Sequence, residues 1–354
     1  MTGLDFSPPL DAGYRRRVLR VGRWSGILRV RSAITGILLI ALIAAVGVVS
    51  LGLGTYPLDP PAVVRVLLGG GEPLDRTVVF DWRMARTLAA ILLGGLLAVS
   101  GALFQSVTRN PLASPDILGL SHGAFTGMLL SIVLFSASWP LMTVGAVAGG
   151  LLTALLIWSL AYRGGLQGFR LIVIGIGISA ILASANTWML LKVELETAMF
   201  ASAWGAGTLN GVTAPPLIGA LVCATPLILL LILVAPRLRQ LDLGDDVATA
   251  TGARPNTVRA LALLAGVGLV SIATAVIGPV AFVALAAPQI ARRVAGTPSL
   301  SLTLSGLVGA FVLLASDVVA QHVLPVALPV GVVTVSVGGL YLVITLVLEI
   351  RRRA

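Results

Sequence analysis

Two arginines, Arg83 and Arg86, stand one helical turn apart at the head of a long apolar run. At i and i+3 their guanidinium groups share one helix face, and guanidinium pairs bidentately with carboxylates. The pair therefore suits a docking patch for acidic groups on an external partner. It suits equally two long cationic side chains snorkelling to a membrane interface, and spacing alone leaves both readings open. A second polar constellation is LDLGDDVATATGARPNTVR, residues 241–259. It reads as a short helix with Asp245 and Asp246 at its start, where acids complement the helix dipole. Ala248 and Ala250 lie in its body and Gly252 fits a C-cap. Such a helix suits a partner's groove, and it also suits a loop that merely tidies a turn.

The remaining titratable groups point away from catalysis. Asp116 and His122 lie near the start of the third apolar span, and Asp317 and His322 near the far end of the ninth. Each reads as an interfacial side chain satisfied by backbone or water. No His/Cys/Asp/Glu set has metal-ligand spacing. Ser100-Gly101 and Ser121-His122 lack the base and orienter of a nucleophile elbow, and no GxxxxGK[ST] phosphate loop is present. A secondary transporter would need a coupling site at the midplane, and the scarcity of central ionisable residues speaks against one.

The elements that must position these groups are membrane spans. Of 354 residues, 57% are hydrophobic and 11% charged, against about 25% charged in a soluble domain. The apolar residues come in long runs rather than stripes, so the bilayer is the natural solvent. Forty glycines and nineteen prolines fit a polytopic helical chain. The single cysteine, Cys223, offers no disulfide or metal framework and reads as lipid-facing or packing. The net charge of +10 is no nucleic-acid signature, because the arginines sit between spans rather than in a patch with aromatics.

Residues 1–31 form a basic N-terminal segment, and 32–54 an uncleaved first span of 23 residues, about 34 Å as helix. An amphipathic piece follows at 60–68. Further spans fall at 84–107, 119–135, 140–162, 169–191 and 215–235. The stretch 258–291, broken at Gly278-Pro279, is short for two full spans. The last two spans are 300–323 and 329–349, and 351–354 is a tail. With ten spans and a cytoplasmic start, 19 of the 24 Lys+Arg residues fall inside and five outside (Arg65, Arg76, Arg83, Arg86, Lys192), as the positive-inside rule expects. Both termini are then cytoplasmic. Small and polar residues serve helix packing or line a protected path. The candidates are Ser100, Gly101 and Gln105 in the second span, Asn110 and Pro111 in the loop after it, and Gly175 and Ser179 in the fifth.

With these residues in view, the chain resembles the FecCD family, the permease subunits of ATP-binding-cassette importers for ferric siderophores, haem and cobalamin. The likeness runs from Ser32 onwards. It is carried by Arg83, Arg86, Ser100, Gly101, Gln105, Asn110, Pro111, Leu112, Ala113, Pro115, Leu118, Gly119, Ser121, Gly123 and Ala124, and by GPVAFVALAAPQIARR from Gly278 and LPVGVVT from Leu328. The resemblance implies an all-α type II importer fold of ten helices, residues 32–350 forming one permease domain in the bacterial inner membrane. It implies a second permease subunit, with a paralogue rather than an identical copy favoured, and ATPase subunits that bind ATP, the chain itself holding no cofactor. It gives Arg83 and Arg86 an acidic extracytoplasmic binding protein as partner, and it makes Gly244, Asp245, Asp246, Ala248 and Gly252 of the cytoplasmic loop 241–259 contacts for the ATPase. The fifth and tenth helices, near 175–185 and 330–339, would line much of the path. The chain departs from the family pattern at Met84-Ala85, at Thr251, at Gln289 where histidine is usual, and at Gln321 where some members carry a third docking arginine. A ferric siderophore is the expected substrate, with haem or cobalamin the alternative.

Overall fold

A computed structural model of the chain describes residues 16–21, 24–116, 118–135, 138–161, 168–297 and 299–353. Residues 1–15 of the basic segment, Arg163 from the charge tally and the final Ala354 lie outside them. The chain enters through a two-stranded antiparallel ribbon, β1 (Arg16–Val21) and β2 (Trp24–Arg29), where no element was expected. All that follows is helical: α1 (Val30–Gly52), α2 (Pro60–Leu67) and α3 (Pro73–Arg76), then a π-helical stretch, Thr77–Arg83, that runs directly into α4 (Met84–Thr108). Next come α5 (Leu120–Leu134), α6 (Trp139–Ala161), α7 (Gly168–Leu190), α8 (Leu195–Gly205), α9 (Ala214–Leu241) and α10 (Asp245–Ala250). The chain ends with α11 (Pro255–Ile277), α12 (Val283–Ala295), α13 (Leu302–Val318) with a π-helical extension Val319–Val323, and α14 (Val330–Arg353).

The ten expected spans are α1, α4, α5, α6, α7, α9, α11, α12, α13 and α14. Seven helices among the described residues are long and apolar enough to cross a membrane. The 15 residues of α5 and 13 of α12 cover only about 20 Å each at 1.5 Å per residue, short of a bilayer core of about 30 Å. Each is preceded by non-helical backbone, at 109–116 and 118–119 for the first and at 278–282 for the second. Such backbone is tolerated within a membrane domain only where protein covers it or it lines a cavity. Here the two segments face each other.

Burial sorts the helices. In α4 and in α11, 72% of the most apolar window is buried, against 22% in α1, α7 and α9. The first two are therefore the interior posts, and the others turn apolar side chains such as Ile37, Ile181 and Leu233 outward. Leu93, Leu97, Leu103, Leu269, Ile277 and Leu313 fill the centre between α4, α11 and α13. Small residues let the helices approach. Gly123 and Gly127 of α5 meet Gly145 and Gly149 of α6 almost backbone to backbone, the packing that membrane helices use in place of a hydrophobic drive. At Gly101 of α4 a Cβ would collide with the carbonyl of Ala284 in α12.

Two helices in the middle of the chain differ from expectation as well. The connection 192–214 contains α8, headed by Glu194 and Glu196. Helix α9, expected at 215–235, runs on to Leu241 past Pro236, because Leu238 and Leu241 still have core to pack against.

Candidate functional site

Among the described residues, long-range ion pairs gather at the two ends of α4, and further polar groups line a cavity beside the loop that follows it. At the first end Arg83 closes the π-helical stretch. It donates from Nη1 to the carbonyl of Leu51 (2.8 Å) and from Nη2 to that of Tyr56 (2.7 Å). The Leu51 carbonyl is one of those left unpaired at the end of α1, so Arg83 caps that helix. Arg86 donates from Nε to Asp317 Oδ2 (2.8 Å), from Nη2 to Asp317 Oδ1 (2.6 Å) and from Nη1 to Asn210 Oδ1 (2.7 Å). Asp317 is therefore not an interfacial carboxylate satisfied by water. Its side chain is 3% exposed, and a guanidinium fork from 231 residues upstream holds both its oxygens. Of its five N–H donors, Arg86 uses three here and Arg83 two. Both arginines line an open cavity of about 340 Å³ with Tyr56, Trp82, Gln321 and His322. Gln321 donates to the carbonyl of Leu328 (3.0 Å) and does not reach the arginine pair.

At the other end of α4, Arg109 adopts a left-handed backbone (φ +51°). Its Nη2 donates to the carbonyl of Leu241 (2.9 Å) and to Asp245 Oδ1 (2.8 Å), and the same oxygen accepts from Arg259 Nη2 (2.6 Å). Arg259 chiefly, with Arg109 adding, holds the Asp245 carboxyl below the usual carboxylate range. Asp245 is thus tied within the chain, and Asp246 is exposed. Gly244 precedes α10 and Gly252 follows it, each at positive φ. Ala248 is fully buried and seats α10 on the bundle, so the outward face is Asp246, Val247 and Ala250 rather than the alanine at 248.

Between the ends, Ser100 donates to the carbonyl of Gly266 (2.6 Å). Gln105 donates to that of Leu285 (3.0 Å) and accepts from Gln289 Nε2 (2.6 Å). Ser100, Gly101 and Gln105 are buried and hold α4 to α11 and α12, so they belong to packing. Gln289, which departs from the family's usual histidine, is the partner of Gln105. Asn110 accepts from the backbone N–H of Leu112 (3.0 Å) and starts the Pro111 turn. Gly175 and Ser179 of α7 sit against Leu118 and Gly119.

A cavity of about 620 Å³ opens beside this segment, lined by Asp116, His122, Asn186, Pro279, Val332 and Ser336 among others. It draws on α7 at Ala183 and on α14 at Gly331, Val332, Val335 and Ser336, within the two stretches expected to line a path. Asp116 accepts from Ser121 Oγ (2.9 Å) and from Ser114 Oγ (3.2 Å), and the backbone N–H of Phe282 lies beside its carboxyl. Thr126 donates to Asn186 Oδ1 (2.7 Å), and Asn186 to the carbonyl of His122 (3.2 Å). Asn186 was legible as a lone amide in an apolar span, a usual mark of interhelical bonding. Arg109, Asn210 and the pairing of Asp317 carried no local signal.

A bundle of apolar helices with a polar wall between two charged ends defines a multi-pass α-helical membrane protein of permease type. The chain belongs to the FecCD transport family, whose model matches residues 39–348. It is 44% identical over 331 residues to the ferric enterobactin transport system permease protein FepG of Escherichia coli (strain K12), covering 91% of this chain and 98% of that one. It is 33% identical to the probable siderophore transport system permease protein YfhA of Bacillus subtilis (strain 168), covering 87% and 92%. Among solved structures, an inward-facing metal-chelate type ABC transporter superposes with a TM-score of 0.77 at 26% identity, over 88% of this chain and 97% of that one.

Proposed function

We propose that this chain is the transmembrane subunit of an ATP-binding-cassette importer that passes a ferric siderophore complex across the bacterial inner membrane into the cytoplasm. The observation that carries the reading is near-full-length similarity to a ferric enterobactin permease. ATP is bound and hydrolysed by separate ATPase subunits, and both termini of this chain face the cytoplasm. The Arg83 and Arg86 end then faces outward and receives acidic groups of a substrate-binding protein. The unused donors of both guanidinium groups, and the open cavity they line, support that role. The Asp245 end faces the ATPase, with the exposed surface of α10 as the contact. A second, related permease completes the path. Similarity to both FepG and FepD, each a ferric enterobactin permease of one organism, favours such a heterodimer.

The test is uptake of iron-labelled siderophore into proteoliposomes holding this chain, its partner permease and the ATPase, with binding protein supplied outside. Uptake that needs ATP and binding protein is the expected result. Uptake by this chain alone, driven by an ion gradient, would overturn it. Arg86 is a poor residue for testing docking, because reversing it sets two carboxylates against each other at Asp317. Arg83→Gln, scored by binding-protein association, is cleaner, since it removes charge from a group whose hydrogen bonds among the described residues go to carbonyls.

A further inference from the structure

The motif of the loop after α4 has no role in the reading above, yet its two ends are the most heavily tied points of the polar framework. At the α10 end, Arg109 grips the Leu241 carbonyl and Asp245, which Arg259 also holds. The next residues are stiff. Pro111 and Pro115 have fixed φ, and Asn110 closes a turn on Leu112 and Ala113. At the cavity end the Asp116 carboxylate takes two hydroxyls, and the backbone N–H of Phe282 lies beside it. Phe282 stands at the break between α11 and α12. It sits at φ +70°, begins α12, and its side chain packs on Gly338 of α14.

We infer that residues 109–116 form a strap that carries displacement of α10 to the cavity wall, with Arg109 and Asp116 as the positioning residues at its ends. This rests on the import-permease reading, in which α10 follows the ATPase. A stiff segment anchored at both ends cannot let α10 shift against α4 without pulling on Phe282, and through it on α12 and α14. Neither residue touches nucleotide, so the strap acts on the ratio of uptake to hydrolysis.

The experiment uses the complete reconstituted transporter. It compares Arg109→Ala, Arg109→Lys, Asp116→Asn and the Arg109→Ala/Asp116→Asn double variant, reading ATP hydrolysis and siderophore uptake in the same vesicles. Each single loss should cut uptake about tenfold, within the usual range of coupling between sites, while hydrolysis stays within about twofold. Arg109→Lys should restore most uptake. The double variant should be no worse than the poorer single one, because two ends of one link are not additive. Unchanged uptake in the single variants, parallel loss of uptake and hydrolysis, or multiplying effects in the double variant would each overturn the strap. If the unaltered complex shows no ATP-driven uptake, the import reading fails instead, which is a separate result.

Discussion

The two ends of α4 carry arginine–carboxylate clusters made of the same groups and built to opposite plans. At Arg86 one guanidinium spans both oxygens of a carboxylate that is 3% exposed. At Arg109 two guanidinium groups share a single oxygen of a carboxylate that is 45% exposed. The first geometry is a fork on a fork, directional and shielded from water. The second is a shared point contact, open to solvent and screened by salt. One end of the post is therefore locked to α13 and the 206–213 connection, whereas the other is held at a joint that can reorient.

The sharpest way to break this comparison is Asp317→Ala. It strands a partly buried Arg86, and removing one partner of a buried pair costs about 3–5 kcal/mol. Thermal unfolding in detergent should show a large drop in midpoint. A shift no bigger than that of an exposed pair would mean the first end is not locked. A smaller effect is expected midway along α4. Gly101→Ala drives a methyl into the Ala284 carbonyl, and overpacking of this kind costs about 1–3 kcal/mol, less about 1 kcal/mol returned by helix propensity. The same unfolding assay should place it between the two ends. The smallest effect belongs to Asp245→Ala, at most about 1 kcal/mol, as for exposed pairs. Its pH behaviour sharpens the point. The Asp245 carboxyl is depressed from its ordinary 3.8, so its contribution is fully present above that value and is lost only as pH falls through the lower folded one. Hydrogen exchange across residues 241–259 should thus be the same at pH 7 and pH 5, after correction for intrinsic rates. Loosening already at pH 5 would break the assignment.

Much of the framework was legible from residue order. The start of α4 at Met84, the interruption at Gly278-Pro279 and the short helix at Asp245 follow from local rules: apolar run length, proline and glycine punctuation, acids at a helix start. Helix α8 was missed because its apolar and polar residues mix without a clear face. The π-helical stretch before Met84 was missed because its sequence, TVVFDWR, gives no signal for one extra residue per turn. The candidate site was legible only in part. Arg83 and Arg86 stood out by type and spacing, but Ala248 was read as surface and is core. Asp317 was assigned to backbone or water and pairs with Arg86.

The sequence by itself determined a polytopic helical chain, the placing of its apolar helices and the asymmetry of its charge, because insertion into a bilayer depends on each segment's own hydropathy and flanking cations. Only the tertiary structure decided who pairs with whom. Arg86 meets Asp317, Gln105 meets Gln289, and Asp116 lies beside the backbone of Phe282, across separations of 166 residues or more. The physical reason is that a buried polar group must find a partner, but which one it finds depends on helix rotation and depth. Those are set by the packing of small residues such as Gly101 against backbones far away in the chain.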